Sequence, residues 1–257
     1  MRIIYKDGKF SNFKKQKISI RVKGFQYGFG VFTTIKYDNN EIEFLSDHLD
    51  RLKISTQNYG MDFYDLDYKT IIKNLISKNS LTHARIKIIY YLKDKETGYI
   101  ITAEKIKNIN NKGIDLILSE EKRGNLSIYK YKTLNYMNNY KNILEFKDKN
   151  CDILNIDYND NILETSTSNI FFIKKNKIVT PSEKQPILPG IIRKKILELK
   201  KVDNFEIQEE NIKRKNIDEF SGAFLTNSIK KIIPVKKIDN IKYKKYHNLF
   251  LKLNNYL

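Results

Sequence analysis

The sequence predicts a two-domain protein of mixed strands and helices, α+β or α/β in class. Three observations carry this. The chain has 257 residues, of which 40% are hydrophobic, enough for one large domain or two modest ones. Segments rich in β-branched and aromatic residues alternate with segments whose apolar residues recur at helical spacing, in two blocks. Between the blocks, residues 93–113 are polar and lysine-rich, the best candidate for a crossing from one domain to the next.

In the first block, Ile3-Ile4-Tyr5, Asp7-Gly8 and Lys9-Phe10 read as a short hairpin. Val31 to Tyr37 is β-branched and aromatic, and Asp38-Asn39-Asn40 turns it into Glu41-Ile42-Glu43-Phe44. Ser46 is placed to cap a helix carrying Leu45, Leu49 and Leu52. Leu66 to Ser77 reads as a second helix and Ala84 to Leu92 as a buried strand.

The second block opens with a strand over Ile114 to Leu118. Met137, Tyr140 and Leu144 recur at helical spacing, so a helix follows Asn135 and ends near Asn150. Strands then come quickly, at 152–156, 162–164, 170–173 and 178–180. Pro189-Gly190 opens a helix marked by Ile192, Ile196 and Leu199, and Ala223 to Thr226 is one more strand.

Composition narrows the function. No run approaches the roughly 18 apolar residues that span a bilayer. The N-terminus reaches Lys6-Asp7 before any signal-peptide apolar region could form. The single cysteine, Cys151, excludes an internal disulfide and fits a reducing compartment, so a soluble cytoplasmic protein is expected. A net charge of +18 raises the question of nucleic acid. The lysines are scattered rather than gathered in one tract, which argues for a compositional bias and against nucleic acid as the main partner. His48, His83 and His247 lie too far apart for ligand spacing, so no metal site is expected. No Walker-type loop or Gly-x-Ser-x-Gly is present, and Gly28-Phe29-Gly30 lacks the third glycine of a dinucleotide loop.

Three features carry chemistry. Lys132 stands between a tyrosine-rich segment and an apolar helix, where partial burial would make its amine a carbonyl-trapping nucleophile. Taken alone it is also one of many surface lysines. Glu164 ends a strand before the run Thr165-Ser166-Thr167-Ser168; a carboxylate there could keep a pyridine nitrogen protonated, or be an ordinary strand end. The hydroxyls of that run either satisfy a bend or reach a ligand, and spacing does not choose. Leu188-Pro189-Gly190 either is a plain proline-glycine helix start or aims the free N–H groups of Ile191 and Ile192 at an anion, with Arg51 as a second clamp. His48, one turn from Arg51, is read as structural.

In order along the chain these motifs resemble the fold-type IV, or class IV, pyridoxal-phosphate enzymes: branched-chain aminotransferases, D-amino-acid aminotransferases and aminodeoxychorismate lyases. The resemblance runs from Tyr27-Gly28-Phe29-Gly30-Val31-Phe32-Thr33-Thr34 through His48-Leu49-Asp50-Arg51-Leu52 and Lys132-Thr133-Leu134-Asn135-Tyr136. It continues through Glu164 to Asn169, Leu188 to Arg193, and Leu225-Thr226-Asn227-Ser228 with Pro234-Val235. It implies a small N-terminal α/β domain over 1–110 and a larger C-terminal domain over 111–257, built on a β pseudo-barrel, with pyridoxal 5'-phosphate between them. Lys132 would hold the cofactor covalently and shuttle protons, and Glu164 would pair with its ring nitrogen. Arg51, Ile191, Ile192 and Ser228 would hold its phosphate. A homodimer is implied.

Within the family, Phe32-Thr33-Thr34 looks like the lyase pattern, in which Thr34 assists proton transfer; branched-chain aminotransferases usually carry Glu-Gly there. Lys87 stands where those aminotransferases place a carboxylate-binding arginine, and Thr226-Asn227-Ser228 replaces their Gly-Thr. Tyr27, Lys87 and Asn227 are the expected substrate contacts. Two departures cut the other way. Tyr90-Tyr91-Leu92-Lys93-Asp94-Lys95 replaces the glycine- and arginine-rich stretch of lyases, and Phe29 replaces a common aspartate. The expected activity is conversion of 4-amino-4-deoxychorismate to 4-aminobenzoate and pyruvate, in folate biosynthesis. The alternative is transfer of the amino group of branched-chain or D-amino acids to 2-oxoglutarate.

Overall fold

The computed structural model describes residues 2–106, 112–146 and 150–257, and the chain forms two compact units. One comprises 1–109 together with 131–136; the other comprises 110–130 and 137–257. The sequence expectation ran the second domain continuously from 111, so the segment bearing Lys132 lies in the first unit rather than the second.

The first unit is a six-stranded sheet with strand order β2-β1-β6-β5-β3-β4. Its elements are β1 (Ile3–Lys6), β2 (Lys9–Asn12), α1 (Lys23–Gln26), β3 (Gly30–Asp38), β4 (Glu41–Ile42), α2 (Leu45–Asn58), α3 (Tyr68–Lys78), β5 (Ala84–Leu92) and β6 (Thr97–Lys105). The β1–β2 hairpin turns through Asp7 and Gly8, both at positive φ, the geometry that matches strand twist. Asn39 and Asn40 do the same between β3 and β4. Alternate residues of β3 (Val31, Ile35, Tyr37) face a core completed by Leu52 of α2 and by Ile72 and Leu75 of α3.

Two expectations fail here. Ser46 does not cap α2: the helix begins at Leu45 behind Phe44, whose left-handed backbone accepts from the His48 amide, and Ser46 reaches Asp50 at 3.5 Å instead. Nor does 93–113 begin as a crossing. Residues 97–105 form β6, paired along the whole of β5, with Thr97, Gly98 and Tyr99 buried. Small and hydroxylated residues at buried positions made this strand look polar. Residues 107–111 of the expected crossing lie outside the described residues.

The second unit carries β7 (Ile114–Arg123), α4 (Met137–Phe146), β8 (Cys151–Asp157), β9 (Ile162–Thr165), β10 (Asn169–Lys174), β11 (Lys177–Pro181), α5 (Ile191–Glu198), β12 (Lys201–Val202), β13 (Phe205–Glu210), β14 (Gly222–Asn227), β15 (Lys231–Ile238), β16 (Ile241–Lys242) and α6 (His247–Asn255). Its pairings run β10-β14-β15-β7-β8-β9 and return from β9 to β10, so six strands close on themselves as a pseudo-barrel. The closing seam is narrow, with Asn169 opposite Glu164. Leu154, Ile170, Phe172 and Leu225 are among the residues that fill its core. The stripe that announced α4 faces outward: Met137, Tyr140 and Leu144 are all exposed.

Candidate active site

In the first unit, Lys132 is fixed through its main chain. Its carbonyl accepts from the Phe32 amide at 2.8 Å, and the Leu134 amide donates to the Gly30 carbonyl at 2.8 Å. Val31 and Thr133 form the bridge between these bonds, so 131–136 lies along β3 as a short added strand. Gly30 makes this approach possible: a Cβ there would collide with the Tyr90 carbonyl and lie 2.6 Å from Leu134 Cδ1. Gly28, at φ +65, lets the chain turn against the Asn135 backbone. The two glycines of Gly28-Phe29-Gly30 thus serve chain packing.

The Lys132 amine lies 4.8 Å from the centre of the Phe32 ring and 5.2 Å from that of Tyr136. Lys87 approaches the same Phe32 ring at 4.2 Å, and it stands directly opposite Thr34 in the β3–β5 register. Thr34, Phe32, Lys87 and the Lys132 amine therefore share one face of the sheet. Burial lowers the Lys87 pKa, with the Arg85 charge adding to the effect.

On the opposite face Thr33 links His48 to Arg51. Its Oγ1 accepts from Arg51 Nη2 at 3.2 Å and lies 2.7 Å from His48 Nδ1. Arg51 can only donate, so Thr33 Oγ1 accepts from it and keeps its second lone pair and its hydrogen for His48 Nδ1. Burial first, then the Arg51 charge, hold His48 neutral with a pKa lowered to about 3. Its buried Nε2 has no partner among the described residues. Tyr27 lies at the end of α1, largely exposed, with Lys23 over its ring.

In the second unit, Glu164 is the third residue of β9 and is buried. Arg123 Nη1 donates to its Oε1 at 2.9 Å, while Asn169 Nδ2 and the Leu188 amide donate to Oε2 at 3.0 and 3.1 Å. Arg123 is itself held by the Pro186 carbonyl at 3.0 Å and lies over the Tyr129 ring. Three donors, one of them charged, strongly favour the carboxylate form. Arg123 and Asn169 were missed as site residues in the sequence; an arginine ending a strand and an asparagine after a Ser/Thr run carry no distinguishing spacing.

The Ser/Thr run forms a bend: the Thr165 amide and hydroxyl both donate to the Ser168 carbonyl. Ile191 and Ile192 are buried in the first turn of α5, whose leading amides have no acceptor within the helix. Arg193 anchors that helix by donating to the Pro181 carbonyl at 2.8 Å and by pairing with Glu209. Asn227 donates to Ser168 Oγ at 2.9 Å and accepts from the amides of Ile229 and Lys230, so its side chain builds the turn after β14. Ser228 opens that turn, and two residues before it Thr226 holds a buried hydroxyl with no partner among the described residues.

The features gathered in the two units are those of one family. The profile of the class IV amino-transferases matches residues 30–238. This chain belongs to that family. It is a family of pyridoxal-phosphate enzymes, and the pseudo-barrel and accompanying sheet are its fold. A protein of Methanocaldococcus jannaschii, whose name assigns it provisionally to branched-chain-amino-acid aminotransfer, is 26% identical over 252 residues, 92% of this chain and 88% of its own. The aminodeoxychorismate lyase of Bacillus subtilis is 23% identical over 258 residues, 94% of this chain and 88% of its own. The crystal structure of a branched-chain aminotransferase from Thermoproteus uzoniensis superposes with a TM-score of 0.90 at 20% identity, covering 99% of this chain and 93% of that one.

The residues present fit the family's cofactor. A phosphate group needs hydrogen-bond donors, and the buried Thr226 hydroxyl in the second unit has no partner among the described residues. A pyridinium nitrogen needs a carboxylate that stays ionised, and Glu164 is built as one. The Tyr90-Tyr91 departure falls largely in the core: Tyr90 is fully buried, bonded to Tyr68 at 2.5 Å and stacked on Phe63. It therefore bears on packing more than on substrate.

Proposed function

We propose that this chain is a lyase converting 4-amino-4-deoxychorismate to 4-aminobenzoate and pyruvate. Pyridoxal phosphate, when bound, supplies an electron sink for the carbon bearing the substrate amine. Lys132 holds it and afterwards moves protons with the help of Thr34. Lys87 grips a substrate carboxylate, and Glu164 keeps the ring nitrogen protonated. Arg51, the amides of Ile191 and Ile192, and Ser228 hold the phosphate, and Tyr27 and Asn227 complete the substrate contacts. The observation that carries the lyase reading is the shared face of Thr34, Lys87 and the Lys132 amine around Phe32. A threonine hydroxyl for proton transfer and a buried amine for an anion are what this aromatisation requires.

No helix among the described residues is long and apolar enough to cross a membrane. A cytoplasmic location in folate synthesis and a homodimer belong to the same proposal, the latter supported by the exposed apolar stripe of α4. The test is to supply 4-amino-4-deoxychorismate without any keto acid and measure 4-aminobenzoate. The native protein is expected to form it, and Lys132→Ala to be slower by at least about a hundredfold. The second reading, amino transfer from branched-chain or D-amino acids to 2-oxoglutarate, is favoured by the 26% identity to the Methanocaldococcus protein. No 4-aminobenzoate, together with exchange between glutamate and a branched keto acid, would establish it instead.

A further inference from the structure

Gly190 precedes α5 with φ −71 and ψ 142, an extended backbone open to any residue. Its lack of a side chain is therefore not a requirement of the turn. What a Cβ would meet is Asn169 Oδ1, well inside contact distance. The amide that presses on Gly190 is the one whose Nδ2 donates both to Glu164 Oε2 at 3.0 Å and to the Leu188 carbonyl at 2.9 Å. The Leu188 amide returns to the same Glu164 oxygen at 3.1 Å. A buried triangle results, with the carboxylate, the Asn169 amide and the Leu188 peptide as its corners. It sits at the seam where β9 meets β10, Asn169 opposite Glu164.

We infer that Asn169 is a positioning residue that locks the Glu164 carboxylate to the start of α5, and that Gly190 is a glycine in order to admit it. The inference rests on the proposed cofactor reading in one respect: there, Glu164 meets the ring nitrogen and the α5 amides meet the phosphate. Asn169 would then set the separation of two contacts made to different groups of one ligand. Neither the acid nor the helix shifts without the other. The leucine-proline-glycine start, which reads from sequence as room for an anion, is room for an amide.

A double-mutant cycle tests this, with the dissociation constant of pyridoxal phosphate as the first measurement and thermal unfolding without added cofactor as the second. Asn169→Ala is expected to weaken binding about tenfold or more, since a donor to a buried carboxylate is lost. Gly190→Ala is expected to weaken it comparably. In the Asn169→Ala background the same glycine substitution should change binding by less than about twofold, because the space is vacated. Asn169→Asp keeps the shape but sets a second carboxylate against Glu164, so the pH midpoint of the visible band of the loaded protein should move. Packing alone would leave that midpoint in place.

A Gly190→Ala penalty repeated in full in both backgrounds would overturn the lock, as would native affinity and an unshifted midpoint in Asn169→Asp. If Gly190→Ala does not fold and the double variant does, the rescue itself supports the lock. A native protein that binds no pyridoxal phosphate would instead sink the cofactor reading. The unfolding temperatures still decide the lock in that case: Gly190→Ala should lower the midpoint in the native background and not beside Asn169→Ala.

Discussion

Lys132 in the first unit and Glu164 in the second are held by opposite means. Lys132 is held through its main chain, by two 2.8 Å bonds to β3, and its amine rests against aromatic faces. Glu164 is held at the charged atoms themselves, by three donors at 2.9 to 3.1 Å. In the proposed chemistry the amine exchanges partners, which an anchored backbone permits. A group that must keep one charge throughout needs its oxygens fixed. The neighbours follow the same division: around Lys132 burial disfavours charge on His48 and Lys87, whereas around Glu164 the donors favour it.

The largest test of that contrast is stability. Arg123→Met should destabilise the protein by about 3–5 kcal/mol, because the buried Glu164 carboxylate loses its charged partner. Lys132→Met should cost less than about 1 kcal/mol in the same urea titrations without cofactor. Equal losses would erase the distinction. Next comes Lys87→Ala, expected to raise KM for the substrate about 10- to 100-fold with a smaller change in kcat. Because the Lys87 pKa is lowered, its grip is present at neutral pH and is lost as pH rises, earlier than for an ordinary lysine. Lys87→Arg should extend it to higher pH, and a KM flat across alkaline pH would remove Lys87 from substrate binding. The most gradual effect, spread over several pH units, concerns His48, neutral when folded with a pKa of about 3. Its unfolded counterpart takes up a proton below about 6.5, so stability should fall as pH drops from there toward 3, by at most about 1.4 kcal/mol per pH unit. His48→Gln should flatten that slope, and an unchanged slope would show that His48 is not buried neutral.

Sequence reading found those parts of the molecule whose side chains announce their own role. The two-residue turns at Asp7-Gly8 and Asn39-Asn40 need positive φ and have residues that adopt it, so both hairpins were legible. The helix after Pro189-Gly190 and five of the six pseudo-barrel strands were read from the sequence, β7 only in its first half, while β15 (Lys231–Ile238), interrupted by Pro234 and rich in lysine, was not. What escaped depends on partners distant in the chain. β6 looks polar until β5 covers it, and Asn169 is one more polar residue after a Ser/Thr run until Leu188 and Glu164 surround it. Arg123 is likewise anonymous until β9 brings Glu164 beside it, forty-one positions on. Gly190 was legible as part of a helix start, but what requires a glycine there lies in another segment.

The strap over 131–136 also constrains how the chain comes into being. The first unit takes this strand only after β7, which belongs to the second unit, has already been made. A ribosome extending the chain from its N-terminus thus exposes β3 with its Gly30 notch unfilled while the next unit is under way. The order of synthesis and the order of completion differ. A fragment ending after β6 carries the sheet and its helices but not the amine, and adding back a peptide of 131–136 would measure how firmly that notch holds its strand.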